Sequence, residues 1–190
     1  MSRLKIFSNT NPHTPETDTS DAHEIARLLG QVGVRFEQWK ADVALAADAG
    51  QEEVIAAYGK DIARLKAEKG YQAVDVIRLK ADHPQKAELR QKFLSEHRHS
   101  EDEVRFFVEG DGLFYLHIGG KVYATLCERG DLIGVPDNTT HWFDMGENPS
   151  FCAIRLFTNP EGWVADFTGD DIAARFPTYA QYKMQNAVAA

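Results

Sequence analysis

The sequence predicts a mainly β domain: a small antiparallel barrel or sandwich, with helices and strands of its N-terminal part packed on the outside. Three observations lead there. Between Glu103 and Thr158 six short runs rich in β-branched and aromatic residues follow one another, separated by turns containing Gly, Asn and Pro. Ahead of residue 95 apolar positions recur at helical as well as strand spacing. Within the run from Val104 to Glu109 the alternate positions Val104, Phe106 and Val108 make a wholly apolar face, which needs a cover, and the N-terminal segment is the candidate.

The elements follow in order. Met-Ser-Arg-Leu-Lys-Ile-Phe leads into a polar, turn-forming stretch over residues 8–20, to which no strand is assigned. Ser20-Asp21 can cap a helix that carries Ile25, Leu28 and Leu29 on one face and stops at Gly30. Residues 34–39 alternate at strand period. Residues 51–69 place Val54, Ile55, Tyr58, Ile62 and Leu65 at helical spacing before Gly70, which predicts one helix. A strand over 74–79 and, after His83-Pro84, a short helix over 86–94 complete this part. The six later strands fall at 104–109, 113–118, 121–127, 132–135, 141–145 and 151–157, with Gly110-Asp111-Gly112 read as the first turn. Residues 181–190 read as a fraying tail. The chain then divides into a cover (1–94), the motif-bearing β part (95–158) and a C-terminal loop, short helix and tail (159–190) of a single domain.

Composition narrows the functional classes. The length of 190 residues, with 43% hydrophobic and 26% charged, suits one globular domain. A net charge of −8 and the absence of a Lys/Arg cluster argue against nucleic acid as a partner. No secretory signal or long apolar stretch is present, so no membrane association and a cytoplasmic location are expected. Cys127 and Cys152 stand in apolar runs without a second cysteine at metal spacing and read as small core residues. A monomer is the simpler expectation.

The chemistry concentrates in His97-Arg98-His99-Ser100-Glu101-Asp102-Glu103 and in His141. In an extended chain His97 and His99 point the same way, Glu103 enters from the start of the next strand, and His141 closes the set. Three imidazoles and a carboxylate suit Fe(II), Ni(II), Mn(II) or Zn(II), and an octahedral ion so held keeps two positions open, which if adjacent accept a bidentate substrate. The competing reading is four unrelated residues, since His-x-His pairs arise by chance in polar loops. Spacing decides against it: His-x-His-x3-Glu-x6-Gly110, then Gly130-x5-Pro136-x4-His141, resembles the two-part pattern of the cupin superfamily. The fold that this implies is a cupin-type antiparallel β-barrel, or jelly roll. His13, His23, His83 and His117 lack such company and read as surface or structural residues.

Whole phrases match more narrowly. Glu-Lys-Gly-Tyr at 68–71, Glu-Asp-Glu-Val-Arg-Phe-Phe-Val-Glu-Gly at 101–110, Pro-x4-His-Trp-Phe-Asp-Met-Gly at 136–146 and Asn-Pro-Glu-Gly-Trp at 159–163 resemble the acireductone dioxygenase family. The likeness runs from Val34-Arg35-Phe36 to Phe-Thr-Gly-Asp-Asp at 167–171. Gln91, Asn138 and Met145 depart from the general cupin pattern without replacing a ligand. The resemblance implies a single Fe(II) or Ni(II) ion and a reaction between O2 and the enediol 1,2-dihydroxy-3-keto-5-methylthiopentene in methionine salvage. With Fe(II) the family yields formate and 4-methylthio-2-oxobutanoate; with Ni(II), 3-methylthiopropanoate, formate and carbon monoxide.

Roles follow for further residues. Arg105 shares the face of Glu103, and its permanent charge favours an ionised enediol; a plain salt bridge is the competing reading. Arg155, a charge in an apolar strand, needs either an anionic ligand or a neighbouring carboxylate. Glu96 and Asp102 flank the ligands and are candidates to orient imidazoles, positions that the resemblance links to metal incorporation; either could equally be a solvated acid. Phe93, Phe107, Phe143 and Trp163 are candidates for the apolar wall that a methylthio group needs, with Phe93, Phe143 and Trp163 preferred. Two rival functions remain. One keeps the metal barrel but changes the reaction, to another cupin oxygenase or a sugar isomerase, of which a phosphosugar enzyme would want more Lys or Arg at the pocket; the other is a non-catalytic binding or regulatory cupin, which would show an incomplete ligand set or an attached basic recognition helix.

Overall fold

In the computed structural model, which describes residues 1–159, 161 and 164–188, the chain opens on a strand, β1 (Arg3–Ser8), that the sequence reading missed. Leu4, Ile6 and Phe7 are all buried, so apolar side chains stand on both faces and the alternating signature is lost. β2 (Thr17–Thr19) pairs back onto it. α1 (Ala22–Gly30) is capped by the Asp21 carboxylate, which accepts from the Glu24 N–H, and buries Ile25 and Leu29. After β3 (Arg35–Gln38), the helix predicted over 51–69 is two helices, α2 (Gln51–Ala57) and α3 (Gly59–Lys69). Gly59, a weak helix former, follows the break at Tyr58, whose ring turns inward against Phe106 with centroids 5.1 Å apart. α3 ends at left-handed Gly70.

The remaining elements are β4 (Ala73–Leu79), α4 (Lys86–Leu94), β5 (His97–Arg98), β6 (Glu103–Ile118), β7 (Lys121–Glu128), β8 (Asp131–Val135), β9 (Thr140–Asp144), β10 (Phe151–Phe157), β11 (Asp166–Phe167), a 3-10 turn (Ile172–Arg175) and α5 (Tyr179–Val188). Gly110-Asp111-Gly112 is therefore not a turn, because β6 runs through it as one bent strand. Its first half pairs with β8 and β10 and its second half with β7 and β9. Two antiparallel sheets thus share β6, in the orders β3-β8-β6-β10-β4 and β11-β5-β9-β6-β7-β1-β2. Among the described residues the hydrogen bonding does not close into a ring; the architecture is an open, cupin-like pair of sheets.

Gly110 makes the bend. Its φ is +70°, and a Cβ there would lie 1.8 Å from the Ser150 carbonyl oxygen and 2.8 Å from Phe151 Cα. The neighbour is backbone and cannot swing away. Gly110→Ala is expected to destabilise the protein by about 3 kcal/mol or more, read by chemical denaturation; a loss below about 1 kcal/mol would contradict this role.

Three apolar layers result. Phe107, Ile133 and Ala153 of one sheet meet Phe114, Leu116 and Phe143 of the other between the sheets. The outer face made by Val104, Phe106 and Val108 is covered by Val54, Tyr58, Ile62 and Leu65 of α2 and α3 and the turn between them, as its lack of polar residues requires. The outer face of the other sheet, with Leu113, Tyr115 and Trp142, is covered by Ile172, Phe176 and Tyr182. The expected fraying tail is therefore mostly ordered structure. Tyr182 is fully buried, and its hydroxyl lies 3.2 Å from the carbonyls of both Arg3 and Ala124.

Candidate metal centre

Pairing of β5 with β9 sets His97 opposite His141, and pairing of β6 with β9 sets His141 beside Leu116. Arg98 stays exposed, so His97 and His99 turn inward together. Ligand nitrogens of His97, His99 and His141 lie within 4.8 Å of one another, and all three residues are buried. Each ring is held from behind by a backbone carbonyl: His97 Nδ1 by Ser95 at 2.7 Å, His141 Nδ1 by Thr139 at 2.8 Å and His99 Nδ1 by Val164 at 3.0 Å. A carbonyl only accepts, so Nδ1 carries the proton in each ring and Nε2 presents its lone pair to the centre.

Glu103 completes the group. Its Oε2 lies 3.4 Å from His99 Nε2 and 3.6 Å from His141 Nε2, yet makes no well-formed hydrogen bond among the described residues, while Oε1 accepts from Arg105 Nη2 at 2.6 Å. A buried carboxylate oxygen with no partner, facing imidazole lone pairs, is costly unless a cation sits among them. The donor set of three nitrogens and one oxygen fits Fe(II) or Ni(II).

Charge balance agrees with this arrangement. Burial works against a charged Glu103, but Arg105, His141 and His99 outweigh it and hold the carboxyl well below its usual range. Burial, then the neighbouring His141, pushes His97 down to about 4, against the pull of the Ser95 carbonyl. His99 moves the other way: burial opposes its charge, but Glu103 and the Val164 carbonyl outweigh it and raise its pKa. Because a folded-state pKa below the ordinary 6.5 means that the unfolded chain takes up the proton first, His97 contributes stability above that value. That contribution is lost as the pH falls from 6.5 toward about 4. The raised pKa of His99 gives the opposite dependence, a contribution present at low pH and lost as the pH rises through its folded value.

Comparison with known proteins bears on what this centre belongs to. The model of the ARD/ARD' family matches residues 3–165. The chain belongs to that family. Curated relatives named acireductone dioxygenase include one from Pseudomonas paraeruginosa, 64% identical over 93% of this chain and 98% of that protein, and one from Klebsiella pneumoniae, 60% identical over 95% and 100%. A solved structure described as acireductone dioxygenase from Bacillus anthracis with cadmium ion in active center is 33% identical, with a TM-score of 0.76, covering 88% of this chain and 98% of that one. Asn138, where the general pattern has Gly, has a φ of +54°, a left-handed conformation that Asn tolerates. In this ARD/ARD' member its N–H donates to the His99 carbonyl at 2.8 Å, so the departure leaves the ligand loop held.

The other residues singled out from the sequence divide. Arg105 is buried, bonded to Glu103, and lies over the rings of Phe114 and Phe143 at 4.8 and 4.9 Å; its Nε and Nη1 have no partner among the described residues. Arg155 lines the metal cavity but is paired through Nε at 2.9 Å and Nη2 at 2.6 Å with Asp75, so its charge is already met. Phe93 lines the cavity. Phe143 and Phe107 are core residues, Phe143 lying under Arg105. Trp163 lies outside the described residues.

Glu96 and Asp102 orient no ligand imidazole; backbone carbonyls do that instead. Glu96 bonds His117 Nδ1 at 2.8 Å and accepts from Thr168 Oγ1 at 2.7 Å, while Asp102 bonds Lys69 and the Asp137 N–H. His117, set aside from the sequence as surface or structural, is thus the structural partner of Glu96. The sequence reading missed Phe157, Ala165 and Lys92 as lining residues and gave Glu101 no role, although Glu101 holds Thr158 and Asn159 just after β10. Strand parity could have found Phe157, two positions after Arg155 in β10. The metal cavity is small, 70 Å³; a wider cleft of 510 Å³ between α4 and the 167–178 segment holds none of the four ligands.

Proposed function

We propose that this chain cleaves the acireductone 1,2-dihydroxy-3-keto-5-methylthiopentene with O2 in methionine salvage. One observation carries the reading: His97, His99, Glu103 and Arg105 line one cavity, a ligand nitrogen of His141 lies within 4.8 Å of those of His97 and His99, and Glu103 Oε2 and two Arg105 nitrogens have no partner among the described residues. His97, His99, Glu103 and His141 would hold the ion. Bound Fe(II) or Ni(II) supplies the Lewis-acid and redox chemistry, giving 4-methylthio-2-oxobutanoate and formate with iron or 3-methylthiopropanoate, formate and carbon monoxide with nickel.

The chain's own groups do the rest. Arg105 keeps an enediolate ionised: Nη2 is committed to Glu103, while Nε and Nη1 are donors that a buried cavity leaves unsatisfied until an anion arrives. Phe93, Phe157 and Ala165 form an apolar wall suited to the methylthio end, with Trp163 as a further candidate. Arg155, tied to Asp75, shapes that wall and adds positive potential for a dianion. Glu96 holds the 166–168 segment to the ligand loop through Thr168, and Asp102 fixes the turn before His141. Both act by positioning.

A phosphosugar isomerase fits poorly, since Lys92, Arg105 and Arg155 are the cavity's cations and two of them are already paired. Covering of both outer sheet faces by the chain's own segments supports a single domain acting as a monomer. Two free, buried cysteines suit the reducing cytoplasm. Acireductone consumption under O2 by metal-loaded protein tests the reading: decay well above the protein-free rate supports it, and decay at the protein-free rate contradicts it.

A further inference from the structure

α4 walls the metal cavity through Lys92 and Phe93, yet none of its nine residues is fully buried. Leu89 and Phe93 lean on the central core and Leu94 on the outer layer, each only partly buried, so hydrophobic packing fixes the helix weakly. A buried charge holds it instead. Arg90 donates to Asp144 through Nε at 2.9 Å and Nη2 at 3.1 Å, and Asp144 is completely buried. The same carboxylate accepts from the Gly146 N–H at 2.9 Å and the Tyr179 N–H at 2.8 Å. Four donors satisfy it, and three segments are thereby tied together: α4, the end of the strand that carries His141, and the start of α5. Two further polar ties of α4, Lys86 to Asn148 and Arg90 Nη1 to Glu147 at 3.9 Å, are exposed and weak.

We propose that the Arg90–Asp144 pair positions α4 so that Phe93 closes the apolar end of the cavity, and so determines discrimination for the methylthio substituent. The inference rests on the acireductone reading above. Arg90 touches no substrate; it acts through Phe93.

The test uses Arg90→Gln, Arg90→Lys and Phe93→Ala in the full, metal-loaded chain. Two substrates are compared, the methylthio acireductone and its analogue with hydrogen in place of the methylthio group. In Arg90→Gln, amide hydrogen exchange across residues 86–94 should quicken and KM for the methylthio substrate should rise about tenfold. KM for the truncated analogue should move less than about twofold, with kcat and metal content kept. Arg90→Lys should recover part of the loss, and Phe93→Ala should show the same substrate split with the ion pair intact. Equal effects on both substrates, no effect on either, or loss of metal would overturn the proposal. Failure of the unsubstituted chain to turn over acireductone would instead overturn the function reading and take this inference with it, so the parent's rate separates the two failures.

Discussion

His97→Ala and His141→Ala each lose bound metal and activity together. Both rings are buried, both are held at Nδ1 by a backbone carbonyl, and both present Nε2 to the same point. Removing either leaves two imidazoles and a carboxylate, and alanine offers no donor in its place. Loss of a partner outside the ligand set costs ten- to a hundredfold in affinity or activity, so loss of a ligand should cost more than about a hundredfold. Elemental analysis of purified variants, run beside initial rates, reads both quantities. His83→Ala, away from the cluster, serves as the control and should keep both. Full metal content with activity in both ligand variants would remove the metal centre from the mechanism.

Arg105→Ala should keep its metal but fail to ionise the substrate. In the parent, mixing with acireductone under anaerobic conditions should produce the spectral shift of the enediolate; in Arg105→Ala the shift should be absent and the rate should fall by about 10²- to 10³-fold. The loss has two parts. The substrate anion forfeits the free Nε and Nη1 donors, and Glu103 forfeits the cation bonded to Oε1. Breaking a buried pair costs about 3–5 kcal/mol where nothing replaces the partner, so the metal-free variant should also be markedly less stable than the metal-loaded one. Arg105→Lys keeps a charge without the planar fork and should fall between the two. A normal anaerobic shift in Arg105→Ala would take the residue out of this role.

Sequence patterning carried much of the site because strand parity is local. Glu103 and Arg105 must share a face, and once Glu103 is a ligand Arg105 lies beside it. Likewise the apolar row Val104, Phe106, Val108 announced a cover, and α2 and α3 provide it. What parity could not show is what backbone carbonyls do. Ser95, Thr139 and Val164 orient the imidazoles through atoms every residue possesses, so attention fell on the acidic side chains of Glu96 and Asp102, which are engaged elsewhere. Long-range partners were hidden for a related reason. Nothing near Arg155 names Asp75 as its neighbour, because the pairing arises from β4 lying beside β10. The tail misled because Tyr182 is flanked by polar residues, and only the fold reveals that its ring joins the outer apolar layer, with its hydroxyl at the carbonyls of Arg3 and Ala124. Gly110-Asp111-Gly112 has the composition of a turn, whereas its crowding against Ser150 makes it a bend within one strand.

Reconstitution with a single metal at a time, followed by product analysis, tests the proposed activity most directly. Protein stripped of metal and reloaded with Fe(II) should convert acireductone and O2 to 4-methylthio-2-oxobutanoate and formate, while Ni(II)-loaded protein should release carbon monoxide, formate and 3-methylthiopropanoate. Bound metal near one ion per chain, with acireductone decaying no faster than in buffer and neither product set formed, would leave the metal centre standing and contradict the assigned reaction.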